Sequence, residues 1–245
     1  MRQSPLFSNI QTGEAYYDDV DRATYKGITV KTFILLGIAV LVAAFVAFAL
    51  PNILVNNPGT FYVALGVASI VGFISVLVGR ISETAAKYCS VLYAVCEGLF
   101  LGCISAICET FIPGAVTTAV FSTIIIFTVM LTLFATGIIR VGSRFRTVCW
   151  GMTIGAIAIT LLMSILSLFI PNYTQYLNIM IGVEFFLLVY GAITLSLNFR
   201  EAQYVVESGA SKGAEWSVSL GLLVSIIYIY IEVLRLIVLI ASRDN

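Results

Sequence analysis

Seven apolar runs follow one another along this chain, each long enough to cross a hydrocarbon core about 30 Å thick. They lie at about 32–51, 60–79, 88–108, 115–138, 148–170, 176–197 and 217–241. Hydrocarbon offers no water to satisfy backbone N–H and C=O groups, so runs of this length become helices. Composition points the same way: 60% of residues are hydrophobic and only 11% charged, against roughly 25% charged in soluble domains. The fold class is therefore all-α, a polytopic membrane bundle of seven transmembrane helices with the lipid bilayer as its solvent. Residues 1–29 read as a polar tail and 30–245 as one membrane domain. The tail has no basic stretch followed by a short apolar one, so it is not a signal peptide.

Several function classes fall away. Histidine is absent, which removes His-ligated metals, Ser-His hydrolases and imidazole relays. Asp18, Asp19, Asp21 and Asp244 all lie outside the spans, so an intramembrane aspartyl protease is excluded. Lys26, Lys31, Lys87 and Lys212 are not mid-membrane, so a retinal Schiff base is excluded too. No nucleophile has a visible base, no cofactor motif is present, and a net charge of zero argues for no nucleic-acid partner. The expectation is a non-enzyme without a cofactor. Cys89, Cys96 and Cys103 recur every seven residues on one helix face. Successive members stand about 10 Å apart along the axis, too far for a disulfide. They read as small packing residues, with a soft-metal site as the alternative.

The hairpin connections at 51–59, 109–114 and 171–175 carry no Lys or Arg. The tail and the remaining connections carry Arg2, Arg22, Lys26, Lys31, Arg80, Lys87, Arg140, Arg144, Arg146, Arg200 and Lys212 of the 13 basic residues. The positive-inside rule places that side in the cytoplasm of a cell-membrane protein, with the N-terminus inside and the C-terminus outside. Pro51, Pro58, Pro113 and Pro171 fall in the outer connections and predict tight turns there. Asn172-Tyr-Thr174 matches a glycosylation acceptor but hugs the membrane, and reads as chance.

Small residues let helix backbones approach in lipid. Gly98 and Gly102 in the third span, and Gly151 and Gly155 in the fifth, have that spacing and predict packing within the bundle.

Charges inside the spans are the candidate chemistry. Glu97, Glu184 and Glu232 are carboxylates at membrane depth, and Arg235 follows Glu232 by three residues, on the same helical face. Each such charge costs roughly 2.5–3.5 kcal/mol on insertion scales. One reading is structural: neutral, hydrogen-bonded acids, or a buried Glu232–Arg235 pair. The other is functional. Burial favours the neutral acid and a guanidinium favours the carboxylate, a balance suited to proton sensing. Carboxylate oxygens are also hard ligands, making Glu232 a candidate Ca²⁺ contact. Tyr228 lies one turn before Glu232 and can donate a hydrogen bond to it. Glu184 and Glu232 lie about 12 and 13 Å from the same membrane side by helix rise, so the two acids can face each other. Three acids against one interior Arg favour a cation path over an anion path.

Two longer motifs and a shorter lead-in carry a resemblance. Glu215-Trp-Ser-Val-Ser-Leu-Gly-Leu-Leu-Val with Tyr228-Ile-Tyr-Ile-Glu232-Val-Leu-Arg235-Leu resembles the last helix of the Bax inhibitor-1/YccA membrane family. Leu92-Tyr-Ala-Val-Cys-Glu97-Gly-Leu-Phe-Leu-Gly102 is similar to the third helix of its bacterial YccA-like branch, and Thr24-Tyr-Lys-Gly-Ile-Thr-Val-Lys-Thr to the lead-in to its first. The resemblance implies a seven-helix fold with the last helix central in a six-helix ring. It also implies a pH-sensitive calcium leak closed by one acid from the sixth helix and one from the seventh. Modulation of a membrane protease in bacteria and suppression of cell death in eukaryotes are further family associations. Glu232 matches the seventh-helix acid. Asn198 stands where the sixth-helix acid is expected, and Asn cannot ionise. Glu201 and Glu184 are the carboxylates that could substitute.

Three functional readings result. The first is a pH-sensitive cation leak, for Ca²⁺ or H⁺, gated around Glu232. The second is a non-conducting regulator that binds a membrane protease or another membrane protein. The third is a proton-coupled solute transporter, to which the absence of Pro-broken helices gives little support.

Overall fold

Helices form at each of the seven apolar runs, and most extend beyond them. The computed structural model describes residues 22–56, 58–139, 141–166 and 173–244. Its helices are α1 (Tyr25–Asn56), α2 (Pro58–Ile81), α3 (Glu83–Phe111), α4 (Ala115–Ala135), α5 (Ser143–Leu166), α6 (Tyr173–Glu207) and α7 (Lys212–Asp244). All seven are long and apolar enough to span a membrane. α1 begins inside the expected tail. It also runs through Pro51, which sequence reading places in a turn, while Pro58 opens α2. At a first helical position a missing N–H costs nothing, because that donor has no partner within the helix. The end of the fifth predicted span, 167–170, and the Asn172 acceptor lie outside the described residues, as do Arg2 and Arg140.

The last helix is the core. α7 touches α1, α2, α3, α4 and α6. Leu220 and Leu223 face one side of it and Ile229 the opposite side, and all three are fully buried, as expected of a helix that is apolar on more than one face. α5 touches only α6. The six-helix ring implied by the family resemblance is therefore open beside α5.

α3 is a wedge with two packing faces. An ideal Cβ on Gly98 would sit 2.7 Å from the Ala39 carbonyl oxygen, and one on Gly102 2.6 Å from that of Ala43. The predicted small-residue face is thus real, and its partner is α1. The heptad cysteines form the other face. Cys96 lies against Gly72 and Cys89 against Gly79 of the antiparallel α2. All five cysteines are free, and Cys96 and Cys103 are buried, which agrees with the packing role. Gly151 and Gly155 are a correction: a Cβ on either meets nothing within 4 Å. Among the described residues α5 presents that face to no other helix, because its one neighbour there is α6.

The end of the bundle that carries the basic connections is locked across sequence-distant elements. Thr24 caps α1, its hydroxyl accepting from the Gly27 N–H at 3.0 Å. The Thr24 N–H donates to the Glu215 carboxylate of α7 at 2.8 Å, and Lys31 forms an ion pair with the same carboxylate. The Ala23 N–H donates to the Ala210 carbonyl at 2.8 Å in the α6–α7 connection. Ser211 of that connection donates to Glu83 at the start of α3, at 2.6 Å.

Candidate functional site

The charges that sequence reading singles out in the sixth and seventh spans meet in one cluster. Arg235 Nη1 of α7 lies 3.1 Å from Glu184 Oε1 of α6 and 3.8 Å from Glu232 Oε2 on its own helix. The helical turn from 232 to 235 brings the guanidinium over its own carboxylate. The close packing of α6 on α7 supplies the second acid. Glu184 is 1% exposed and Glu232 3%, so both carboxyls have left solvent.

The hydrogen bonding is uneven. Glu184 accepts from Arg235 through both oxygens, at 3.1 and 3.4 Å. Glu232 Oε2 is fully buried and accepts no hydrogen bond. The two carboxyls flank the same guanidinium nitrogen, so they are close neighbours. Two carboxylates cannot satisfy one another, but an acid and a carboxylate can. An orphaned buried oxygen costs about 1–3 kcal/mol, and more if charged. A proton on Glu232 would remove that cost. The cluster then holds one negative and one positive charge rather than two against one.

An aromatic stack continues from the cluster toward the basic end. Tyr228 donates to the Leu187 carbonyl oxygen at 3.5 Å, and its ring meets Tyr190 edge-on at 6.1 Å between centroids. The Tyr190 hydroxyl bonds to Thr153 of α5 at 2.8 Å. Gly191 allows this packing: a Cβ there would lie 2.7 Å from the Tyr228 ring. Below the stack, α5, α6 and the end of α2 line an open cavity of about 1080 Å³.

The other predicted site residues fall elsewhere. Asn198 is buried and donates to Ser225 of α7 at 2.6 Å. Ser225 and Glu232 are seven residues apart on one helix, so Asn198 and Glu232 differ by about 10 Å in depth. The pairing implied by the family resemblance, Asn198 beside Glu232, does not occur; the sixth-helix partner of Glu232 is Glu184. Glu201 instead forms an ion pair with Arg80 of α2 at 2.8 Å, and Arg80 also donates to the Ser217 carbonyl oxygen at 3.1 Å. Gly221 leaves the room: a Cβ there would meet Arg80 Nη1 at 2.6 Å and Asn198 Oδ1 at 2.9 Å. Glu97 is half-buried on α3 beside Tyr93, apart from the cluster.

Sequence reading missed Arg80 as a cross-helix contact and Lys31–Glu215 as an ion pair. Both join residues more than 130 positions apart. The signal was present for Glu215, a carboxylate in the opening turn of an apolar helix, but its partner is fixed only by topology.

A central helix enclosed by membrane-length helices, with two buried acids sharing one guanidinium, defines a polytopic membrane protein with an ionisable interior. The model of the family described as Bax inhibitor 1 like matches residues 4–242, and the chain belongs to that family. No curated protein and no solved structure matches it.

Proposed function

We propose that this protein is a proton-controlled cation leak, with Ca²⁺ as the expected ion, and that Glu184, Glu232 and Arg235 form its gate. The observation that carries the reading is the buried Glu232 Oε2, which accepts no hydrogen bond and lies beside a second carboxyl beneath a shared guanidinium. With one proton on the pair, an O–H···O bond and the Arg235 ion pair hold α6 against α7. Loss of that proton leaves two carboxylates repelling each other at short range in a low dielectric, where repulsion is strongest. Separation of the helices then exposes both carboxylates, hard oxygen ligands that attract a divalent cation. Flux therefore rises as pH rises. By the positive-inside rule the basic end faces the cytoplasm, so the aromatic stack and the cavity below it lie on the cytoplasmic side of the gate.

The test is Ca²⁺ entry into liposomes across the neutral pH range, for the wild type, Glu232→Gln and Glu184→Gln. A glutamine amide donates to the remaining carboxylate without titrating, so either variant gives low, pH-independent flux. Wild-type flux indifferent to pH, or variants that keep the wild-type profile, would sink the gate.

One observation favours the second reading, a non-conducting regulator of another membrane protein. Among the described residues α5 packs on α6 alone, and its Gly151 and Gly155 face meets no other helix. Bulky substitutions there, such as Gly151→Leu with Gly155→Leu, would abolish partner capture in that case and leave liposome flux untouched in the first.

A further inference from the structure

The cavity at the basic end has the chemistry of an anion site. Its wall includes three guanidinium-bearing residues, Arg80, Arg146 and Arg200, against one carboxylate, Glu201. Glu201 is already taken by Arg80, and Arg200 donates to Gln203 at 2.9 Å. Arg146 is exposed and forms no ion pair among the described residues. The excess is two positive charges facing about 1080 Å³ of space.

The position of the cavity narrows the ligand. It is walled by α2 on one side and α5 on the other, yet those helices do not touch. Among the described residues, then, no helix packing closes the side between α2 and α5. Trp150 and Tyr204 line it and are 66% and 65% exposed. Exposed Trp and Tyr at the end of membrane-spanning helices belong to the headgroup level, where their rings are apolar and their tips polar. Guanidinium groups suit phosphate, which they can grip with two parallel N–H bonds. Basic pockets between helices at this level take lipid headgroups.

We infer that the α2–α5–α6 cavity binds the phosphate headgroup of an anionic phospholipid, with Arg146 and Arg200 as its principal contacts and Trp150 at its mouth. A lipid entering between α2 and α5 fills the opening left by the outlying α5. A soluble phosphate would be held by the same guanidinium chemistry without using the lateral opening, and the experiment separates the two.

The chain has two tryptophans, so Trp216→Phe leaves Trp150 as the sole tryptophan, excited apart from the tyrosines at the red edge, and keeps an aromatic ring beside Lys31. The full-length variant is reconstituted in phosphatidylcholine vesicles containing phosphatidylglycerol, with acyl chains brominated on one lipid or the other. Quenching of Trp150 then gives the relative affinity of the two lipids at the cavity. The expected result is a preference for phosphatidylglycerol that Arg146→Gln or Arg200→Gln each lowers about fivefold, the factor equivalent to about 1 kcal/mol per basic residue near an anionic surface. Arg243→Gln, near the far end of α7, leaves the preference unchanged. Equal quenching by both lipids overturns the inference. So does an Arg243→Gln effect as large as that of Arg146→Gln, which would reduce the preference to general surface charge. Loss of the preference on adding millimolar inorganic phosphate overturns the lipid assignment in favour of a soluble phosphate ligand.

Discussion

Arg235 holds two buried carboxyls while half its own side chain is exposed. Its removal leaves both acids without a counter-charge, the situation in which broken buried pairs cost about 3–5 kcal/mol. Because Arg235 is part-solvated, Arg235→Met should fall near the low end, about 3 kcal/mol, in thermal unfolding in detergent. Adding Glu232→Gln to Arg235→Met should recover part of that loss, since one of the two acids is gone and the Gln amide can donate to the Glu184 carboxylate that remains. A double variant no more stable than the single one would mean that Glu232 carries no charge in the folded protein. Asn198 gives a sharper test of depth. Asn198→Asp restores the acid implied by the family resemblance, yet its neighbour is Ser225, about 10 Å from the level of Glu232 by helix rise. The pH profile of flux should therefore stay as in the wild type, and a shifted profile would place residue 198 in the gate. The individual charges were legible because a carboxylate in an apolar run is costly wherever it packs. Helix rise put Glu184 and Glu232 at one depth, but choosing Glu184 over Asn198 and Glu201 needs the register between α6 and α7, which depends on the whole interface between them.

At the scale of the helix, two glycine pairs with identical spacing behave oppositely. Gly98 and Gly102 let α1 approach so closely that a Cβ on either would fall under 3 Å from an α1 backbone oxygen. Backbone cannot rotate away as a side chain can, so α1 and α3 must separate. Gly98→Ala or Gly102→Ala should each cost about 1–3 kcal/mol, the usual penalty of overpacking. Gly151→Ala and Gly155→Ala meet open space. They should be neutral, or stabilising by up to about 1 kcal/mol through helix propensity. Thermal unfolding of the four variants side by side decides it, and equal losses in both pairs would show that α5 packs as α3 does. Small-xxx-small spacing records only that a helix can be approached. Whether another helix is there depends on its place in the bundle, and α5 lies outside. The cysteine heptad was more legible, since a seven-residue repeat of small apolar side chains defines one face; the glycines Gly72 and Gly79 that receive it become meaningful only once α2 is set antiparallel to α3.

Across the whole molecule, the number of spans and their alternation were readable from apolar length and the placement of basic residues. The closure of the bundle at its basic end was not, because it joins residues near position 24 to others near 215. The Glu215 carboxylate is 2% exposed and takes the Lys31 ammonium, the Thr24 N–H and the Thr24 hydroxyl. Gly27 provides its space, since a Cβ there would collide with the carboxylate oxygens. Lys31 also covers Trp216, with its nitrogen 5.1 Å from the ring centroid. This one acid therefore fastens the start of α1 to the start of α7, the central helix. Lys31→Met strands a buried carboxylate and should cost about 3 kcal/mol, whereas Lys31→Met with Glu215→Gln should cost markedly less. Unfastening should also be shared between the two sides. Backbone hydrogen exchange in Lys31→Met should quicken together at 23–31 and 208–216, because the Ala23–Ala210 hydrogen bond and the Ser211–Glu83 contact depend on the same docking. Amides around Glu184 and Glu232 should be unaffected, since they lie deep in the bundle and make none of these contacts. Faster exchange at 23–31 alone would show that α1 frays independently. Faster exchange reaching Glu232 would show instead that the basic end and the acid cluster open as one unit, coupling the lock at one end of α7 to the gate within it.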